Sequence, residues 1–170
     1  MKTIILIRHA KSSWKFHDLK DIERPLKKRG QKDAARMAHV LREMKIHIDK
    51  FISSPAERAL STAIAFALRD EIAVDQRLYL ESKSKLLSVI QELDENFQSV
   101  VLFSHNPDLT DFANFLANDT IENIPTAGMV GIQFDVNSWK EIEKGKGKRL
   151  FFEIPKKYRK EKEKAEAKTH

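Results

Sequence analysis

Thr3-Ile4-Ile5-Leu6-Ile7 is an unbroken apolar, β-branched run that ends at Arg8-His9, and it limits the architecture more than any other segment. A strand that is apolar at every position has no face for water, so it is read as buried on both sides of a sheet. That reading calls for helices above and below mostly parallel strands. Shorter apolar segments follow at Phe51-Ile52, Ile72–Val74 and Val100–Phe103, each expected to add a strand. Between them, helical spacing recurs in Ala34, Met37, Ala38, Leu41 and Met44, then in Leu60, Ala63, Ile64, Ala67 and Leu68. Leu86, Leu87, Ile90 and Leu93 predict a third helix, and Leu109, Phe112, Ala113 and Leu116 a fourth, with Pro107 at its start.

The last third changes character. Met129–Val136 and Leu150–Ile154 are β-rich and flank a loop with Gly145 and Gly147, which predicts a hairpin. The expected architecture is a three-layer α/β/α sandwich: a mostly parallel central sheet with an antiparallel edge or carboxyl-terminal β-hairpin. Pro25 is expected to start a turn in the polar stretch 24–32, and Gly30 to mark an irregular start to the first helix. Residues 1–155 read as one domain. Residues 156–170 have one aromatic residue and no apolar periodicity, and are expected to form a frayed charged helix or a disordered tail.

Composition removes several chemistries. There is no cysteine, which excludes disulfides, zinc knuckles and thiol nucleophiles. Five glycines, at 30, 128, 131, 145 and 147, leave no room for either glycine-rich phosphate loop. Any grip on phosphate must come from side chains. The net charge of +6 hints at a polyanion, but residues 1–139 hold 19 basic and 19 acidic residues, and the whole surplus lies in 140–170. No apolar stretch is long enough for a membrane span or a signal-peptide core, so a cytoplasmic protein without membrane contact is expected.

Three polar clusters follow three predicted strands: Arg8-His9, Ser53-Ser54-Pro55 with Arg58, and Ser104-His105-Asn106. Ligands of open α/β sheets bind beyond the carboxyl ends of the strands. Taken singly, each residue reads as a solvated charge or a hydrogen-bonded structural group, and His17, His39, His47 and His170 keep that reading. Together the clusters define one pocket with two histidines and at least two arginines. Guanidinium forks match phosphate oxygens, and a neutral imidazole is a competent nucleophile toward phosphorus. Arginine charges would hold the histidines neutral, and two neighbouring rings should divide their roles. No metal-ligand spacing occurs, so phosphoryl transfer without metal or cofactor is expected.

These motifs resemble those of a known family. Arg8-His9-Ala10 resembles the R-H-G signature of the histidine phosphatase (phosphoglycerate mutase-like) superfamily, with alanine in place of glycine. Ser53-Ser54-Pro55-Ala56-Glu57-Arg58-Ala59 with Thr62-Ala63 resembles its S-S-P-x-x-R-A-x-x-T-A segment, and Ser104-His105-Asn106-Pro107 resembles the segment bearing the second histidine. The short length and Arg24-Pro25-Leu26 are similar to the compact SixA-type phosphohistidine phosphatase branch.

The resemblance spans about Lys2 to Ile154. It implies that His9 is the nucleophile, that Arg8 and Arg58 hold the phosphoryl oxygens, and that His105 completes the pocket. Arg24 would reach the same pocket through its loop. Alanine at position 10 should be tolerated where φ is negative. Larger members place a proton-donating carboxylate after the third strand, near Glu81 here, whereas compact members often lack it; which applies to this chain stays open.

The implied activity is hydrolysis of phosphohistidine on a protein, such as a phosphotransfer domain or a phosphocarrier. Hydrolysis of small phosphomonoesters is the nearest alternative, and a mutase is disfavoured because mutases generally carry extra substrate-closing segments. A non-enzymatic role for the basic tail is a further alternative. Nucleic acid is a poor fit to that tail, because Glu161, Glu163 and Glu166 interrupt its lysines and stacking aromatics are nearly absent.

Overall fold

The computed structural model describes residues 1–79 and 83–160. Ten main elements alternate along the chain: β1 (Lys2–Arg8), α1 (Lys28–Glu43), β2 (Lys50–Ser53), α2 (Glu57–Ala67) and β3 (Ile72–Val74), then α3 (Lys83–Gln91), β4 (Ser99–Ser104), α4 (Asp108–Ala117), β5 (Met129–Phe134) and β6 (Lys148–Glu153). The strands form one sheet in the order β3-β2-β4-β1-β5-β6. β1, β2, β3 and β4 run parallel, whereas β5 and β6 are antiparallel additions at one edge.

The all-apolar first strand does what its composition requires. Ile4 and Leu6 enter a core with Val100, Leu102, Leu86, Ile90, Leu109 and Phe112, which covers one face with α3 and α4. Ile5 and Ile7 point the other way, into a core with Val101, Phe103, Met37, Leu41, Ala63 and Phe66 beneath α1 and α2. Each β1 isoleucine or leucine is fully buried, so neither face could carry a polar residue without an unmet desolvation cost. The three-layer sandwich with an antiparallel edge is therefore the observed architecture.

Two local expectations are corrected. Gly30 does not mark an irregular start; it lies inside α1, which already begins at Lys28. Its hydrogen is needed because a Cβ there would stand 2.1 Å from the Lys11 carbonyl oxygen. That close approach ties the helix to the loop leaving β1. The same loop is closed at its base by Lys27 N–H donating to Lys11 O, Ser13 N–H donating to Pro25 O, and a bridge between Ser12 and Leu26.

The predicted stripe on α2 is also rotated. Ile64 and Leu68 are 59% and 64% exposed, and Ala59, Ala63, Phe66 and Ala67 form the buried face instead. Arg58 and Thr62, one turn apart, share that buried face and both point inward.

The carboxyl-terminal segment begins as helix. Residues 155–160 are helical, Arg159 donates to the buried Asp33 carboxylate at 2.9 Å, and the Tyr158 hydroxyl donates to Glu153 at 2.7 Å. The remainder of the expected tail, 161–170, lies outside the described residues. Among the described residues, no helix is long and apolar enough to cross a membrane.

Candidate active site

The carboxyl ends of β1, β2 and β4 lie side by side, because Arg8 pairs with Ser104 and Ser53 with Phe103. This register brings the three polar clusters together. His9 N–H donates to the Ser104 carbonyl and Ser54 N–H to the Phe103 carbonyl, so the strand ends are laced where the histidines emerge. The His9 and His105 ring centroids are 5.1 Å apart.

The His9 environment selects its tautomer. Nδ1 lies 2.8 Å from the Ala10 carbonyl oxygen, which can only accept, so Nδ1 carries the proton and Nε2 the lone pair. Burial pushes the ring down to about 4 against this hydrogen bond, and the Arg58, Arg8 and Arg24 charges add to the fall. His105 is lowered further, to about 3, by burial and then by His9 and Arg58. Both rings are neutral near pH 7. Ala10 N–H donates to Thr62 Oγ1, whose hydroxyl donates to the Arg58 carbonyl, locking the nucleophile turn onto α2. Ala10 is absent from the residues with positive φ, so alanine fits there, as expected; the left-handed conformation falls instead at Ala127, whose N–H donates to the Arg8 and His9 carbonyls.

The arginines are aimed by their neighbours. Arg8 donates through Nη1 to the Ile124 carbonyl, an oxygen that also accepts from Asn106 Nδ2. Arg58 is 4% exposed and donates to the backbone oxygen of Asp21 at 2.8 Å and to its carboxylate at 3.1 Å. Arg24 is buried, donates to Ser12 Oγ, Ser13 O and Asp21 Oδ1, and stacks at 3.5 Å on the Trp14 ring. Its charge adds to the lowering of the His9 ring. Arg8 Nε, Arg58 Nε and His105 Nδ1 are buried without a hydrogen-bond partner among the described residues. Unpaired buried donors are costly, and their concentration here fits a bound anion.

Asp21 and Tyr79 escaped the sequence reading, and Ser54 stood in a cluster there without a role of its own. Ser54 Oγ lies 2.7 Å from His105 Nε2, and Tyr79 packs edge-on against His105 at 5.4 Å. Asp21 accepts from both Arg24 and Arg58 and from the Tyr79 hydroxyl at 2.6 Å. Its spacing of three residues from Arg24 was the available signal; Tyr79 had none. Glu81 lies outside the described residues. His39 and His47 are exposed and pair with Glu43 and Asp49, far from this chemistry in their partners and their burial.

The two buried rings have a consequence for stability. An unfolded chain binds a proton on each histidine near pH 6.5, whereas the folded site resists until about pH 4 or 3. The unfolded state therefore holds more protons in that window, and stability falls as pH drops from about 6.5 to about 4. His9 alone contributes on the order of 3 kcal/mol to this loss. Urea unfolding of His105→Asn at pH 7 and pH 4.5 should show a smaller acid-induced loss than the wild type; an equal loss would contradict the neutral buried pair.

The fold and the residue set are similar to those of histidine phosphatases. Residues 4–81 match the family model of the histidine phosphatase superfamily (branch 1), so the resemblance carried by the motifs holds. The chain is 26% identical over 153 residues to an uncharacterised chloroplastic protein of Arabidopsis thaliana, covering 82% of this chain and 70% of that one. The structure of the protein histidine phosphatase SixA complexed with tungstate superposes with a TM-score of 0.79 at 21% identity, covering 92% of this chain and 99% of that one. The mycobacterial glucosyl-3-phosphoglycerate phosphatase shares the fold at a TM-score of 0.61 and 16% identity, over 88% and 97% of the two chains.

Proposed function

We propose that this protein is a phosphatase that passes the phosphoryl group through His9 and acts on phosphohistidine carried by a protein. The family match and the fold support a phosphatase. The observation that carries the mechanism is the pairing of a nucleophilic His9 Nε2 with three buried groups on Arg8, Arg58 and His105 that lack a partner among the described residues. His9 Nε2 attacks phosphorus, and the bond from phosphorus to the leaving group breaks with its electron pair. Arg8, Arg58 and Arg24 hold the oxygens, and His105 donates through Nδ1 while Nε2 accepts from the Ser54 hydroxyl. Water then attacks the phosphohistidine, the electron pair returns to Nε2, and phosphate leaves.

The carboxylate bonded to the site arginines among the described residues supports the preference for phosphohistidine. Asp21 is the acidic side chain bonded to the site arginines, and it cannot donate a proton near neutrality. Although burial opposes it, the Tyr79 hydrogen bond and the Arg58 charge hold Asp21 at about 2. An imidazole leaving group needs an acid far less than an alkoxide does. The fold shared with a glucosyl-3-phosphoglycerate phosphatase supports small phosphomonoesters as the second reading.

Side-by-side hydrolysis of a phosphohistidine protein, a phosphohistidine peptide and simple phosphomonoesters, with and without EDTA, separates them. The expected order is protein, then peptide, then monoester, unchanged by EDTA. Preference for the monoesters would establish the second reading, and loss with EDTA would establish a metal requirement.

A further inference from the structure

Asp21 sits where a phosphatase has reason to avoid a carboxylate. It stands on the one-turn 3-10 helix Asp21–Glu23, inside the loop that joins β1 to α1. Its Oδ2 accepts from Arg58 and Tyr79, and among the described residues its Oδ1 accepts from Arg24 alone. A carboxylate has about four acceptor sites, so Oδ1 keeps one unused. The side chain is 43% exposed, and that remaining capacity is open to an incoming molecule. Asp21 also influences His105, so its charge is felt inside the two-histidine pocket.

A fixed negative charge beside a phosphate grip has opposite consequences for the two substrate classes. A phosphomonoester arrives as a dianion and builds further negative charge on its leaving oxygen, and the carboxylate repels both. A phosphohistidine whose distal ring nitrogen is protonated presents an N–H and a positive ring instead. When His9 Nε2 bonds to phosphorus and the substrate P–N bond breaks, that ring takes the electron pair and departs as neutral imidazole, its distal proton in place. No acid is consumed.

We propose that Asp21 is a specificity-determining residue, whose carboxylate selects a protonated imidazole leaving group and discriminates against phosphomonoesters. This rests on the phosphohistidine reading above and adds a residue that enforces it. The same carboxylate also steadies Arg24 and Arg58, so its replacement lowers activity on every substrate; the ratio between substrates removes that common loss.

The experiment measures kcat/KM for a phosphohistidine peptide and for p-nitrophenyl phosphate in the wild type, Asp21→Asn and Asp21→Glu. The peptide-to-monoester ratio should fall about tenfold in Asp21→Asn. Asp21→Glu, which keeps the charge, should hold it within about twofold of the wild type. A ratio unmoved in Asp21→Asn, with the wild type active on the peptide, overturns this inference alone and leaves Asp21 as a support for the arginines. A wild-type protein that hydrolyses p-nitrophenyl phosphate but leaves the peptide intact overturns the phosphohistidine reading and this inference with it.

Discussion

Replacing His9 with alanine should abolish turnover, lowering kcat by about 10⁴-fold or more, and should leave no acid-labile phosphate on the protein after brief mixing with substrate. The expectation rests on the position of one lone pair. The Ala10 carbonyl holds the Nδ1 proton, so Nε2 is the nitrogen available for attack, and burial with three nearby arginines keeps it unprotonated near pH 7. His105 cannot substitute, because its Nε2 is engaged with Ser54 Oγ. The two readouts report different things: turnover measures the whole cycle, and trapped phosphate measures the covalent step. A variant with normal turnover would remove His9 from the mechanism. A variant that lost turnover but still gained acid-labile phosphate would place the nucleophile on another histidine. The fold should survive the change, since Ala10 and Thr62 secure the same turn through the backbone and a hydroxyl.

The placement of His9 was legible because it follows from a strand, and strands are read from local composition. An apolar run ending in Arg-His places that pair at the carboxyl end of a buried strand, and Ser53-Ser54 and Ser104-His105 repeat the arrangement. Contacts that depend on where a loop folds back are a different matter. The polar loop from Lys11 to Lys27 has no periodicity, so nothing local reveals that Asp21 crosses to Arg58, 37 residues away. Tyr79 is equally silent, because its role comes from the path of the chain after β3.

Lys2 illustrates the limit from the other side. It is the first residue of β1 and only 2% exposed, with Nζ donating to the carbonyls of Glu95 and Phe97. Only the turn before β4 makes that burial affordable. The misjudged face of α2 shows the same limit: the hydrophobic pattern favoured Ile64 and Leu68, and the buried face carries Arg58 and Thr62 instead.

That placement makes Arg58 the most informative arginine to remove. Arg58→Ala should lower kcat/KM by about 10²- to 10³-fold and weaken inhibition by vanadate or tungstate to a similar degree. Arg58 is buried, its Nε has no partner among the described residues, and it meets Asp21 at both the backbone oxygen and the carboxylate. Its loss takes away one arm of the oxyanion grip and leaves Asp21 with less compensation beside an incoming anion. Both effects act against phosphate. Arg58→Lys tells them apart: a lysine restores the positive charge but not the planar fork, so it should recover part of the vanadate affinity and little of kcat/KM. Full recovery by lysine would mean that the site needs charge alone. Unchanged vanadate affinity in Arg58→Ala would remove Arg58 from the grip and leave it to Arg8 and Arg24, with Arg58 serving only to hold the loop through Asp21.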